Sequence, residues 1–455
     1  MKKTILIILS SLVGLLAIVA IYRFCLRKSI PDAPVSVQVQ SIMKQNGCFV
    51  CHSKNPDLPF YSSLPHVSTA FSKECEHAVS FTDLSVVLSD PDMIDEVTLS
   101  MIEHAVTYST MPTTSYRLIH WGTGFNSKEK SILSAWIMST RGKLYPSIAC
   151  AELANEPIRP LPDSIPYDAA KAELGERMFN DTRISLDGTI SCASCHILEE
   201  NGADEFDERT SGGINGLFGT VNAHTVYNSY FNVRQFWNGR AADLQEQAAA
   251  PPVNPVEMGE QSWDDIIKRL GKDMKLVKEF QTLYPGEGLT QNTVTDVIAE
   301  FEKTLITPNC RFDRYLKGDT DAITNEELAG YETFKKNACA TCHTGIILGG
   351  QSFEKLGIYG NYYAERTQEI EYNSDDDGLK SFTGNDSDLH KFKVPGLRNI
   401  CLTPPYFHDG SYNTLEDAVK AMAKYELGKE LSDKDVKSIL LFMNTLTGEH
   451  RLLNI

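Results

Sequence analysis

Cys48-Phe49-Val50-Cys51-His52, Cys192-Ala193-Ser194-Cys195-His196 and Cys339-Ala340-Thr341-Cys342-His343 are three copies of one pattern, Cys-x-x-Cys-His, set about 145 residues apart. The spacing suits covalent attachment of a c-type haem: two thiols add to the two vinyl groups of one porphyrin, and the adjacent histidine is placed to ligate its iron. With 11 cysteines and 11 histidines in 455 residues, chance would supply about 0.006 such motifs. The competing readings are a redox-active Cys-x-x-Cys that happens to precede histidine, and a zinc site, which needs a second ligand pair that no copy has nearby. The pattern predicts three covalently bound haem c groups, one on Cys48, Cys51 and His52, one on Cys192, Cys195 and His196, and one on Cys339, Cys342 and His343.

The 455 residues have room for about three domains of ordinary size, matching the motif count. A hydrophobic share of 42% and a charged share of 23% are those of a globular chain without a large disordered region. The net charge of −17 argues against nucleic acid, whose phosphates would be repelled, and suits a basic or neutral redox partner, the alternative being the plain acidity of many globular proteins.

Met1-Lys2-Lys3 followed by an apolar run from Ile5 to Tyr22 reads as a membrane-length helix. Arg23, Arg27 and Lys28 stand where a small-residue cleavage site would be needed, so a retained anchor is expected rather than a cleaved signal peptide. Because c-type haem is attached outside the cytoplasm, the body is expected on the periplasmic side of a bacterial inner membrane, held by a single-pass N-terminal anchor.

The expected fold class is mainly α: an N-terminal transmembrane helix followed by three c-type cytochrome-like haem domains. The boundaries are 1–28 for the anchor, 29–154 for the first haem domain, 155–308 for the second and 309–455 for the third. Ser127-Lys128-Glu129-Lys130 opens a helix with Ile132, Leu133, Ala135, Trp136 and Ile137 on its apolar side, ended by Arg141-Gly142. Pro157, Pro160, Pro162 and Pro166 predict an extended linker. Helices are expected at 415–425 and 432–446, the latter capped by Ser432. Of the five cysteines outside the motifs, Cys75 with Cys150 and Cys310 with Cys401 are candidate pairs in an oxidising compartment, with buried free thiols the alternative; Cys25 is left over.

Function turns on the sixth iron position, since a filled one gives electron transfer and an open one permits chemistry. In the first domain the candidates are Met101, His104, Met111 and His120. Met111 precedes Pro112 in a stiff loop able to hold a thioether against iron, the alternative being a core methionine.

From Asn155 to the C-terminus the chain resembles the bacterial dihaem cytochrome c peroxidases. The matching segments include Leu174-Gly175 to Arg183-Ile184-Ser185, Asn222-Ala223-His224-Thr225-Val226-Tyr227-Asn228 and Gln235-Phe236-Trp237-Asn238-Gly239-Arg240. Further on come Val394-Pro395-Gly396-Leu397-Arg398-Asn399 and Pro405-Tyr406-Phe407-His408-Asp409-Gly410. With its added N-terminal haem domain and anchor, the whole chain looks like the trihaem, membrane-anchored subgroup that draws electrons from quinol.

The resemblance implies a peroxidase that reduces hydrogen peroxide to water, with membrane quinol or soluble cytochrome c as donor and the N-terminal helix in the membrane. A homodimer is left open. It implies Gln247 and Glu257 as distal catalytic residues at the His196 haem, Met422 as distal ligand of the His343 haem, Met111 as that of the His52 haem, and Trp237 as the bridge between the last two haem domains. Electrons would enter at the first haem and pass through the Met422 haem to the His196 haem. Asn222, Thr403 and Pro405 match residues whose oxygens hold Ca2+, the hard ligands calcium requires. His408 matches a histidine near the electron-transfer haem. Two departures stand out. Ile214 occupies the place of the histidine that caps the peroxidatic iron in dihaem relatives, and His224 replaces a proline, with a structural role or a substitute ligand as its readings. The rival functions are an electron-transfer relay without peroxidase activity and a dihaem oxidase acting on a partner protein's tryptophan. Relatives of the latter kind carry tyrosine where Met422 stands.

Overall fold

The computed structural model describes residues 10–18, 21, 28–56, 58–65, 67–91, 93–203, 210, 212–366 and 370–454. It divides into two compact units, Met1–Pro146 and Ser147–Ile455. Helices dominate both. The one sheet among the described residues is a two-stranded antiparallel pair, Phe353–Lys355 with Lys391–Lys393.

The first unit is built on three helices, Val35–Gln45, Glu96–Tyr108 and Ser127–Leu144. Each places apolar residues at three- and four-residue spacings on one side, and Val39, Ile42 and Met43, Leu99, Ile102 and Val106, and Leu133, Trp136 and Ile137 meet in a single core. The last helix begins where the sequence places it. Asn126 accepts from the Glu129 backbone N–H while the Glu129 carboxylate accepts from that of Asn126, a reciprocal cap.

The N-terminal span is a correction. Among the described residues no helix is long and apolar enough to cross a membrane. The described part of that stretch, residues 10–18, is helical. The rest of the expected span, apart from residue 21, lies outside the described residues, as does Cys25. The transmembrane helix, and with it the single-pass placement on the periplasmic face of an inner membrane, is therefore withdrawn. The cysteine pairs are withdrawn too: Cys75, Cys150, Cys310 and Cys401 are all free thiols.

The second unit holds two helical cores, each closed by a crossing that only glycine permits. In the first, Ala169–Phe179 lies on Gln291–Glu302 at Gly175, where a Cβ would stand 1.8 Å from the Val297 carbonyl oxygen. In the second, Asn325–Lys336 crosses Asp433–Met443 at Gly330, where a Cβ would stand 2.1 Å from that of Ser438. Gly330→Ala is expected to destabilise the protein by about 1–3 kcal/mol, because the helices must separate. In a free helix the same change would stabilise by up to about 1 kcal/mol, so a raised denaturation midpoint would refute the close crossing.

The C-terminal helices run Leu415–Leu427 and Asp433–Met443, the second capped by Ser432, which accepts from the Asp435 N–H. The proline-bearing stretch is extended, but it is not a free linker. Ile158 and Leu161 are fully buried. Gly345 N–H donates to the Pro157 carbonyl at 2.8 Å and Arg159 N–H to that of Gly345 at 3.2 Å, which ties the stretch to the third motif. Proline count predicts the backbone conformation; the apolar residues between the prolines decide that it packs.

Candidate active site and haem-binding turns

Each Cys-x-x-Cys forms one helical turn, Cys48–Cys51, Cys192–Cys195 and Cys339–Cys342, with the histidine as its C-terminal residue. In all three the histidine Nδ1 faces a backbone carbonyl: Thr82 at 3.2 Å from His52, Gly202 at 3.1 Å from His196 and Leu348 at 3.0 Å from His343. A carbonyl only accepts, so Nδ1 must carry the proton and Nε2 keeps its lone pair for a metal. Burial lowers the pKa of all three imidazoles, holding them in the neutral form a ligand needs. The thiols go the other way. Burial pushes Cys48, Cys51 and Cys339 up to about 12, and Cys192 and Cys342 upward as well. Reactive redox pairs and zinc thiolates require the opposite shift.

At the second motif the turn opens on a cavity of about 570 Å³. Its walls include Cys192, Cys195 and His196 together with Gln247, Glu257 and Glu302. Both thiols and the histidine face it, so the residues present fit a covalently attached haem. Gln247 comes from the short helix Leu244–Ala248, whose N-cap Asp243 accepts from the Glu246 N–H. Glu257 comes from the loop after Pro251–Val253, where its Oε1 accepts from Asn254 Nδ2 at 2.7 Å. Burial raises the Glu257 pKa, against the pull of the Arg240 guanidinium and the Asn254 amide. The structure thus brings Gln247 and Glu257 together with the second motif.

Glu302 was not foreseen. It ends the Gln291–Glu302 helix, is buried, and its Oε2 has no hydrogen-bond partner. Burial pushes its pKa to about 8, so it is mostly a neutral acid at pH 7. The signal lay in register: Glu302 is four residues after Ile298, which lines the same cavity, and so falls on the apolar face of its helix.

Ile214 is buried, with its N–H donating to the Glu257 carbonyl at 3.0 Å. Its side chain points toward Gly259 and Leu186, while Gly212 is the residue of this loop that lines the cavity. Trp237 donates from Nε1 to the Asn222 carbonyl at 2.8 Å and packs against the cluster of Leu356, Tyr362, Phe392, Ala421 and Tyr425, which Met422 also joins. His224 lies against Trp237, ring centroids 3.9 Å apart, and its backbone reaches the His196 ring. His408 lies 6.3 Å from Trp237 and bonds Asp376 at 2.8 Å, inside a buried network with Arg366 and Asp409.

Asn222 Nδ2 is 2.6 Å from the Pro405 carbonyl and 3.2 Å from that of Phe407. A half-turn of the amide would aim its oxygen, with those carbonyls, at one point, an oxygen set suited to calcium. Thr403 stands two residues earlier in the same turn, with its hydroxyl on the Ile400 carbonyl at 3.3 Å. In the first unit Met111 sits in the loop after Glu96–Tyr108, 40% exposed. His120 stacks on Tyr116 at 3.9 Å and meets the Tyr61 hydroxyl; both tyrosines feel the thiols of the first motif.

A helical fold carrying thiol pairs that stay protonated beside an imidazole nitrogen reserved for metal defines a c-type haem protein, and the amide and carboxyl over one of the turns give it the means for acid–base chemistry. The comparisons agree. Residues 169–321 match the model of the di-haem cytochrome c peroxidase family, and residues 26–139 that of a haem-binding domain. The cytochrome c peroxidase Ccp of Escherichia coli (strain K12) is 43% identical over 424 residues, 90% of this chain and 88% of that protein. The cytochrome c551 peroxidase of Nitrosomonas europaea is 43% identical over 297 residues, 65% of this chain and 85% of that one. Among solved structures, a MauG-like protein associated with microbial copper homeostasis superposes with a TM-score of 0.55 at 27% identity, covering 64% of this chain and 95% of that one. The chain belongs to the di-haem cytochrome c peroxidase family and is a haem-dependent peroxidase.

Proposed function

We propose that the protein reduces hydrogen peroxide to water at the cavity of the second motif, with electrons relayed through haems attached at all three Cys-x-x-Cys-His turns, as in the trihaem members of the family. The observation that carries this reading is the convergence of Gln247 and Glu257 with Cys192, Cys195 and His196 on one cavity. A haem held there by Cys192, Cys195 and His196 would supply the electrons and the iron chemistry for peroxide reduction. The chain's own residues do the rest. Glu257, ionised, takes the proton of incoming peroxide and returns it to the departing oxygen, while the Gln247 amide orients the substrate by hydrogen bonding.

Met422, on the helix Leu415–Leu427 and packed in the same cluster as Trp237, is the proposed distal ligand of the third motif's haem, and Trp237 the bridge from there to His196. Met111 is the proposed distal ligand at the first motif. Asn222, Thr403 and Pro405 are proposed to hold calcium. We retain the domain boundaries 29–154, 155–308 and 309–455 as functional divisions, one haem to each.

Membrane quinol is the donor implied by the anchor and by the resemblance to the anchored trihaem subgroup. With that span withdrawn, a reduced c-type cytochrome is the donor we propose, in keeping with the names of the relatives. The test is peroxide consumption by the haem-loaded protein with reduced cytochrome c and with quinol, side by side. Turnover with cytochrome c is expected. Turnover with quinol alone would reverse the choice of donor, and no consumption with either would overturn the reading.

A further inference from the structure

Three cations of the second unit are deeply buried: Arg366, Lys393 and Arg398. Arg366 is held by Asp376 at 2.6 Å and Asp409 at 2.8 Å, and Arg398 by Asp313 at 2.8 Å. Lys393 is 2% exposed, yet among the described residues its ammonium meets no carboxylate and makes no hydrogen bond. An ammonium taken out of water without an anion is strongly unfavourable, and proteins tolerate one where a partner completes the site.

The place of Lys393 is well defined. It ends the strand Lys391–Lys393, opposite Phe353, and its backbone N–H donates to the Trp237 carbonyl at 2.9 Å. Successive strand residues face opposite sides. Phe392 stacks on His408 at 4.2 Å, so Lys393 projects away from that network. Its charge is felt by His224, which lies against Trp237 and whose backbone reaches His196. His224 brings a second unmet group, a buried Nε2 with no hydrogen-bond partner. Both residues therefore border Trp237, and among the described residues no acid answers either nitrogen.

We infer that Lys393, with His224 beside it, is a binding site for the propionate carboxylates of a haem, the ammonium pairing with a carboxylate and the His224 Nε2–H donating to it. The inference rests on haem occupancy of the second and third motifs, and either haem can supply this carboxylate chemistry. Lys393 is a positioning residue: it orients the porphyrin edge beside Trp237 and, as a fixed positive charge, favours the reduced state of the haem it holds.

The test uses the haem-loaded protein, with haem content measured first so that loss of haem and loss of the ion pair are told apart. Lys393→Met is expected to shift one haem to lower potential in a spectroelectrochemical titration, and Lys393→Arg to keep that potential close to the parent. Whether the shifted wave belongs to the haem on Cys192 and Cys195 or to that on Cys339 and Cys342 identifies the source of the propionate. The propionate bending band in resonance Raman spectra should move in both Lys393→Arg and His224→Leu, because each alters the donors to the carboxylate. Potentials and propionate bands unchanged in fully loaded Lys393→Met would overturn the assignment. Should that variant fail to accumulate, an unchanged propionate band in Lys393→Arg would overturn it equally.

Discussion

Glu257→Gln is expected to slow peroxide reduction by roughly 10²–10⁴ while haem content and the other redox centres stay intact, the range for losing one positioned acid–base group. The geometry makes the effect specific. The amide that replaces the carboxylate keeps nearly the same shape beside Asn254, whose Nδ2 now donates to Glu257 at 2.7 Å; what disappears is the ability to take and return a proton. Rapid-mixing measurement of peroxide consumption separates this from donor oxidation, and undiminished cleavage would make Glu257 a loop residue only. The pH profile should carry the same signature. Burial favours the neutral carboxyl and raises the Glu257 pKa, with Arg240 as the opposing charge. Since the ionised form takes the proton, activity in kcat/KM should fall on the acid side at a pH above the ordinary carboxylate range of about 4.3, and Arg240→Met should move that limb higher still.

What the sequence could and could not disclose follows from the range of each interaction. The Cys-x-x-Cys-His turns were legible because covalent attachment needs five contiguous residues, and the Ser432 cap because its partner Asp435 is three residues away. The cavity at the second motif draws its walls from Phe179 to Glu302, and no local pattern joins Gln247 or Glu257 to His196; only resemblance to a family could do so. Glu302 and Lys393 were passed over for a different reason. Each looks like one more solvated charge until the fold buries it without an opposite charge. The N-terminal span was read from hydropathy, which reports composition and not helix length, and among the described residues no helix is long and apolar enough to cross a membrane.

The oxidised enzyme should contain one high-spin ferric haem and react with peroxide without prior reduction. Dihaem relatives close the peroxidatic iron with a histidine at the place where this chain has Ile214, and an aliphatic side chain has no lone pair to give. Optical and EPR spectra of the as-isolated protein that show only low-spin ferric haem would defeat this. Ile214→His should then create a gate, making the oxidised form slow with peroxide until the haem of the third motif is reduced. The structure says what closing it entails. The loop is held by the Ile214 N–H on the Glu257 carbonyl at 3.0 Å and by Gly213, where a Cβ would stand 1.8 Å from the Val256 carbonyl oxygen. A histidine at 214 that turned from Gly259 toward the cavity would pull on a loop tied by that hydrogen bond to the backbone of Glu257, so capping the iron is expected to disturb the setting of the proposed proton-transferring glutamate. The gated variant should therefore lose the Glu257-dependent acid limb of its pH profile in the closed form and regain it on reduction, a coupling that mere steric blockage of the cavity would not produce.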